Sequence, residues 1–248
     1  DGDAIPEDEP GGDGYGHGTH VAGTVSAADN DVGVVGVSPG KIDLYMVKIF
    51  GDDGLWTYAS DLVAAAFTCS AEGADIINMS LTGSLDNYFE EYVFQMLYDQ
   101  GILSIAAAGN GGGTAYGYPA SYDPVISVGA VDASNTIADF SRQNDQVELT
   151  APGVGILSTY LNGGYVYMSG TSMAAPHTCP FGIVMSTLSG VRSSVAMMPT
   201  ALTMIVKVTA TCSAISTKPD LLRSIARQIG PISMLQSSLT ECAAWSLA

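Results

Sequence analysis

Three short segments hold residues whose types and spacing could do chemistry. The first, Gly16-His17-Gly18-Thr19-His20-Val21-Ala22-Gly23, sets an imidazole between two glycines, so that backbone and a ligand can approach His17 closely. The small residues after it suit a tightly packed helix. His17 and His20 stand at i and i+3, so a metal site and a structural histidine pair are equally compatible with the spacing. The second segment, Gly170-Thr171-Ser172-Met173-Ala174-Ala175-Pro176-His177, opens another run of small helix-forming residues. A serine there meets the free N–H groups of a helix start, which favour a developing oxyanion. A plain N-cap role for Thr171 or Ser172 fits the same residues. The third, Ala106-Ala107-Ala108-Gly109-Asn110-Gly111, runs an apolar stretch into a glycine-rich loop carrying one amide, which could equally be a turn residue. Each segment alone admits a structural role; only their combination says more.

The elements that must position these segments alternate between apolar runs and amphipathic stretches. Ile42 to Phe50 alternates enough for a strand. A helix follows, with Leu62, Val63, Ala66 and Phe67 on one face, Ser60 able to cap it and Gly73 placed as its left-handed stop. Ile76 to Met79 reads as a short strand. Phe89, Tyr92, Val93, Met96 and Leu97 then repeat with helical period, and Gly101 closes that helix. Ile102 to Ala108 and Val125 to Val128 read as buried strands. Leu157 to Tyr160 and Tyr165 to Met168, around Asn162-Gly163-Gly164, read as a hairpin. Repeated βα units imply an α/β fold, a mainly parallel sheet flanked by helices. All three chemical segments fall at element boundaries, where open α/β sheets place ligands.

Composition agrees and excludes several partners. The chain has 248 residues, 47% hydrophobic and 13% charged, enough apolar content to fold around its own core. Eight Lys+Arg against 25 Asp+Glu leave a net charge of −17, with no basic stripe to neutralise phosphates, so nucleic acid and anionic membrane surfaces are excluded. No apolar run approaches the roughly 18 residues of a membrane span, and no charged-then-apolar leader precedes a cleavage site. Cys69, Cys179, Cys212 and Cys242 lie too far apart for a CxxC pair or a dense disulfide framework. Charge is unevenly spread: residues 1 to 178 hold 23 acids and three bases, residues 179 to 248 two acids and five bases. With the loss of βα punctuation at the same point, this divides the chain into a main domain, 1–178, and an atypical C-terminal region, 179–248. In the latter only Pro219 to Ile229 reads as an amphipathic helix.

His17 in GHGTHVAG, Asn110 in AAGN and Ser172 in GTSMAAPH occur in the order found in the subtilisin-like serine peptidases, the subtilases or peptidase family S8. The chain resembles that family from about Asp13 to His177, including GVVGVSP (33–39), INMSL (77–81), YPASYDPVISVGAVD (118–132) and LTAPG (149–153). The resemblance implies a secreted, monomeric endopeptidase acting on proteins or peptides without a catalytic cofactor. Ser172 would be its nucleophile, His17 its general base and Asn110 the donor to the oxyanion, with His20 and His177 structural. Substrate would lie beside Ser80, Leu81, Thr82 and Gly83, with Ala107, Ala108 and Gly109 as the facing wall. Gly117 matches the pocket floor and Gly111 leaves no carboxylate at the rim. Those walls imply room for a large apolar residue before the scissile bond, narrowed at the mouth by Thr82. The stretch Ala28 to Val34 is similar to a calcium loop, with the carbonyls of Ala28, Val32 and Val34 and the side chain of Asn30 as ligands.

Two departures from the family stand out. Its acidic triad member sits on a strand well upstream of the histidine motif, yet Asp1, Asp3, Asp8 and Asp13 lie in a Gly/Pro-rich stretch with no strand pattern. The chain therefore reads as a fragment beginning after that residue, nearly inactive by itself. After His177 the expected Val-Ala-Gly is replaced by Thr178-Cys179-Pro180, and a proline inside a helix costs about 3 kcal/mol, so the serine-bearing helix is expected to stop early. A catalytically inactive peptide-binding relative is the second reading, and a metal-dependent hydrolase using His17 and His20 the third.

Overall fold

The computed structural model describes residues 13–40, 42–52 and 59–179, together with the backbone of 232–233. In chain order these form α1 (His17–Ser26), α2 (Ala59–Ala71), β1 (Ile76–Met79), α3 (Tyr88–Asp99), β2 (Leu103–Ala107), β3 (Val125–Val131), β4 (Val147–Pro152), β5 (Ile156–Tyr160), β6 (Gly164–Met168), α4 (Thr171–His177) and β7 (Ile232–Ser233). The strands β1-β2-β3-β4-β7 make one parallel sheet in that order. An antiparallel hairpin, β5 with β6, turns over Leu161–Gly163, where Asn162 takes a left-handed φ of 56°.

Alternation along the strands divides the core into two layers. Leu103, Ile105 and Ala107 of β2 with Ile126, Val128 and Ala130 of β3 face Val25 of α1 and Ala174 and Ala175 of α4. On the opposite face, Ile77 and Met79 of β1 with Ala106 and Val125 meet Leu62, Val63 and Ala66 of α2 and Val93, Phe94 and Leu97 of α3. Helices thus cover both faces, as the βα punctuation predicts. The alanines at 107, 130, 151, 174 and 175, all buried, let α4 lie close on the sheet at the ends of β2 and β3.

Several elements differ from the sequence reading. Residues 42–50 join no ladder. Ile42 packs against one core layer and Ile49 against the other, while Leu44, Tyr45 and Met46 between them are exposed. A period of two becomes a strand only where a neighbouring strand is present to pair with it. The strand β4 was not expected, because its Glu148 and Thr150 interrupt the apolar run; Glu148 is nonetheless buried, its Oε2 accepting from the Ser127 N–H at 2.8 Å. Ser60 lies inside α2 rather than capping it, and Phe67 is 41% exposed. The stops at Gly73 and Gly101 are as expected, with φ of 81° and 90°. α4 ends at His177, with Pro180 outside the described residues, as are Pro219 to Ile229 and nearly all of the region 179–248.

The largest shift concerns α3. Its buried face is Glu90, Val93, Phe94 and Leu97, whereas Phe89 and Tyr92 are more than half exposed. The cause is a polar contact that apolar counting cannot register. Tyr122, buried beside Phe94 with ring centroids 6.4 Å apart, donates its hydroxyl to Glu90 Oε2 at 2.9 Å and accepts from the Asn87 N–H at 3.0 Å. Asn87 caps the same helix through the Phe89 and Glu90 N–H groups. Burial pushes the Glu90 carboxyl above its ordinary value, the Tyr122 hydroxyl offsetting part of that and Asp86 adding to it. Replacing Tyr122 by Phe therefore leaves a buried carboxyl without its donor. A loss of about 1–3 kcal/mol in urea unfolding is expected, and an unchanged midpoint would show that this hydroxyl does not fix the rotation of α3.

Candidate active site

The site is assembled where β2 ends and α4 begins. After Ala108, which extends the ladder through its N–H to Val128 O at 3.0 Å, the chain turns at Gly109, φ 110°. The Gly109 N–H donates to Thr171 Oγ1 at 3.0 Å; that hydroxyl donates to Asn110 Oδ1 at 2.9 Å, and the Thr171 N–H donates to the same oxygen at 2.8 Å. A backbone N–H can only donate, so the Asn110 atom facing it must be the carbonyl oxygen. The amide nitrogen is thereby aimed the other way, beside Gly170, where an added Cβ would lie 3.2 Å from it. Among the described residues neither Asn110 Nδ2 nor the Ser172 N–H has a protein acceptor. The N-cap of α4 is Gly170 with no side-chain cap, so the capping roles open to Thr171 and Ser172 are not taken.

Ser172 is clamped to the segment leaving β1. Its Oγ donates to the Ser80 carbonyl at 3.1 Å, and Ser80 Oγ donates to the Ser172 carbonyl at 2.8 Å. The structure therefore brings Ser172, Asn110 and Ser80 together, and packs α1 against α4. It shows no hydrogen bond between Ser172 and His17, nor any to the His17 ring among the described residues.

His17 opens α1 after Gly16, whose φ of 86° takes the left-handed region. The carboxylate of Asp13 holds that turn, accepting from the Gly16 N–H at 2.7 Å, the Tyr15 N–H at 3.1 Å, and the Thr19 N–H and hydroxyl at 2.7 and 2.8 Å. Burial would raise this carboxyl, but those donors outweigh it and hold it below 3.8. Burial lowers the His17 value beneath 6.5; the Asp13 charge offsets part of this and His20 adds to it, which favours the neutral imidazole a general base requires.

His20 is fully buried and faces the hairpin. Its Nε2 lies 3.0 Å from Ile156 O and 3.2 Å from Val166 O, so it must carry the proton and bridge both strands. Ser158 Oγ donates back to His20 O at 2.7 Å and Thr159 Oγ1 to Thr19 O at 2.9 Å. With the proton on Nε2 the lone pair lies on Nδ1, which is buried and without a partner, and among the described residues no group of three or more His, Cys, Asp and Glu accompanies His17 and His20 as a metal site. His177 is likewise engaged, through Nδ1 to Met173 O at 2.7 Å.

The segments expected to hold substrate face each other. Thr82 Oγ1 donates to Ala107 O at 2.7 Å, and Gly83 and Tyr118 exchange backbone hydrogen bonds of 2.7 and 3.0 Å. A guanidinium borders these walls. A Cβ on Gly117 would lie 2.5 Å from Arg142 Nη1 and 2.6 Å from Thr82 Cγ2, and one on Gly109 would lie 3.0 Å from Arg142 Nε. The sequence reading missed Arg142 because it sits 25 residues beyond Gly117 in a loop with no motif of its own. Its being one of three basic residues in the first 178 was the available signal.

In the loop expected to hold calcium, Asn30 Oδ1 accepts from the Val32 N–H at 3.2 Å, and Asp31 and Gly33 take φ of 63° and 66°. The carbonyls of Ala28, Val32 and Val34 accept no hydrogen bond among the described residues. These oxygens fit a hard cation in kind, although they number fewer than the six to eight that calcium takes.

A parallel α/β sheet with a serine at the start of a short helix, an oriented amide beside it and a histidine-led helix packed alongside defines the class. The sequence pattern of the subtilase family matches residues 3–219, and the chain belongs to that family. It is 45% identical over 169 residues to subtilisin DY of Bacillus licheniformis, covering 66% of this chain and 61% of the relative. It is 38% identical to subtilisin Savinase of Lederbergia lenta, covering 70% of this chain and 64% of that one. Among solved structures, the psychrophilic subtilisin-like protease Apa1 of the Antarctic psychrotroph Pseudoalteromonas sp. AS-11 matches with a TM-score of 0.57 at 49% identity, covering 60% of this chain and 34% of that one. The chain thus spans less than two thirds of the length of these relatives.

The Thr171 hydroxyl tests the geometry directly. Thr171→Val strips the acceptor from the buried Gly109 N–H and one donor from Asn110, and should lower unfolding stability by about 1–3 kcal/mol. Thr171→Ser, which keeps the hydroxyl, should stay much closer to the parent; equal losses in both variants would remove the hydroxyl from the account.

Proposed function

We propose that this chain carries the nucleophile, general base and oxyanion donors of a secreted serine endopeptidase acting on proteins or peptides. The observation that supports it best is the pair of unused donors, Asn110 Nδ2 and the Ser172 N–H, which border one space at the start of the Ser172 helix, 3.2 and 3.7 Å from where a Cβ on Gly170 would lie. In this reading Ser172 Oγ leaves the Ser80 carbonyl and bonds the scissile carbon while its proton passes to neutral His17. The carbonyl oxygen becomes the tetrahedral oxyanion and accepts from the two free donors. Collapse breaks the C–N bond, His17 returns the proton to the leaving amine, and water then releases the acyl group by the same steps.

An orienting carboxylate for His17 is a further requirement of this mechanism. Asp13 is engaged by the first turn of α1, and no other described carboxylate bonds His17. A protein whose His17 lacks that carboxylate should turn over slowly, by about 10⁴-fold relative to a complete triad, a magnitude taken from serine peptidases in general, subtilisin among them. The competing reading, a peptide-binding relative without catalysis, draws on the Ser172 hydroxyl being bonded to Ser80 O rather than to His17. Fluorophosphonate labelling separates the two. Ser172 should be the modified residue and Ser172→Ala should abolish the label; labelling at another serine, or none in a protein that supplies the carboxylate, would favour the binding reading.

We read the 28–34 loop as a structural calcium site formed by the carbonyls of Ala28, Val32 and Val34 with Asn30 Oδ1. A bound ion would fix the turn that follows α1. Millimolar calcium should raise the melting temperature, a chelator should lower it, and Asn30→Ala should erase most of that difference. Equal melting in both conditions would remove the ion from the account.

A further inference from the structure

The side chain of Arg142 fills space that three glycines leave open. Positions for a Cβ on Gly109 lie 3.0 Å from its Cδ and Nε, on Gly111 3.6 Å from Nε and Nη2, and on Gly117 2.5 Å from Nη1. The Thr82 methyl borders the same space, 3.0 and 2.6 Å from the Gly109 and Gly117 positions. The backbone N–H of Arg142 donates to Gly109 O at 3.1 Å and Nη1 donates to Tyr116 O at 2.7 Å. Nε is buried and has no partner.

That leaves a planar fork of five donors with one backbone acceptor. Lys48 and Arg142 are the basic residues among those described, and the ion pair formed there is Lys48 with Asp52. In a chain of net charge −17, Arg142 is thus the described cation that has no carboxylate, although carboxylates are abundant. Burying an uncompensated guanidinium N–H is unfavourable, and a carboxylate presented in its plane satisfies two donors at once.

We propose that Arg142 determines specificity in the pocket between residues 80–83 and 107–109, recognising an acidic side chain on the residue before the scissile bond. The inference rests on the peptidase reading of Ser172 and narrows it to an Asp/Glu-directed enzyme. It reverses the expectation of a large apolar residue there, because an aromatic ring entering past Thr82 would have to displace the guanidinium that Gly109, Gly111 and Gly117 accommodate. The net negative charge opposes anionic substrates at long range, but screening over about 8 Å at physiological ionic strength leaves the direct contact to decide.

A purely structural Arg142, holding the Tyr116 carbonyl and nothing else, is the competing account. The full-length protein is assayed on peptides differing only before the scissile bond, with Glu, Gln, Leu or Lys. Glu should exceed its neutral isostere Gln by about 10-fold or more in kcat/KM, as expected for a charge-assisted contact, and Lys should be cleaved least. Arg142→Gln should bring Glu and Gln to within about twofold of each other, and Arg142→Lys should restore part of the difference without the planar fork. A preference for Leu, or a Glu-to-Gln ratio unmoved in Arg142→Gln, overturns the proposal; so does an equal loss on all substrates, the mark of a structural role. Fluorophosphonate labelling is run in parallel. A labelled protein without the Glu preference fails this inference alone, whereas an unlabelled one fails the peptidase reading, and the affinities of uncleaved Glu and Gln peptides then decide the role of Arg142.

Discussion

The hydroxyl of Thr171 is the joint on which the geometry of the site depends. It accepts from the Gly109 N–H at the end of the central β2 strand and donates to Asn110 Oδ1, while the Thr171 N–H donates to the same oxygen. One residue on α4 thereby fixes the exit of a sheet strand, the orientation of an amide and the start of the helix bearing Ser172. Without that hydroxyl the buried Gly109 N–H is orphaned and Asn110 Oδ1 is held by the Thr171 N–H alone. The clamp between Ser80 and Ser172 adds the third side, tying β1 to the same helix.

The histidine side of the site is held by different means. α1 has no side-chain cap and buries few large residues, so its position comes from polar contacts with the hairpin: His20 Nε2 on Ile156 O and Val166 O, Ser158 on His20 O, and Thr159 on Thr19 O. Gly23 permits this approach, since a Cβ there would overlap the Ser158 and Thr159 side chains. The hairpin supports α1, α1 packs on α4, and α4 lies on β2, β3 and β4. His17 and Ser172 therefore sit on separate elements whose separation is set by buried contacts, while Asp13 holds the first turn of the histidine helix in place of pairing with the ring.

Much of this frame was legible in the sequence because it obeys simple periodicities. β1 has the expected bounds, β2 and β3 differ from expectation at their ends, and the hairpin falls around Asn162-Gly163-Gly164. What escaped was polar and long-range. Glu90 looks like a surface residue until Tyr122, 32 residues later, gives it a buried donor and turns α3 by one position. Glu148 looks like a strand breaker until its carboxylate meets the Ser127 N–H. Residues 42–50 carry a strand pattern and no ladder, since the pattern specifies which side chains alternate and not which neighbour is there. At the site, residue types pointed to Ser172 and Asn110, but the reason Asn110 faces as it does lies in the neighbouring Thr171, which the sequence offered only as a capping residue.

The same reasoning explains why a glycine-lined pocket and a charged pocket cannot be told apart from the motifs. Gly109, Gly111 and Gly117 specify that space exists beside residues 80–83; they do not specify what enters it. The chain supplies an occupant from a loop also anchored by Arg142 N–H to Gly109 O and Gln143 N–H to Gly113 O, and by the side chains of Asn144 on Ala115 O and Asp145 under the Tyr116 hydroxyl. Those bonds hold the loop against the pocket wall independently of the Arg142 side chain, whose own bond is to Tyr116 O. The fold thus separates two demands: the Thr171, Asn110 and Ser172 geometry, which tolerates little change, and the content of the adjoining pocket, set by a single side chain on a backbone that is already in place. On the proposed reading, substrate preference changes by one substitution while the reacting groups stay where they are.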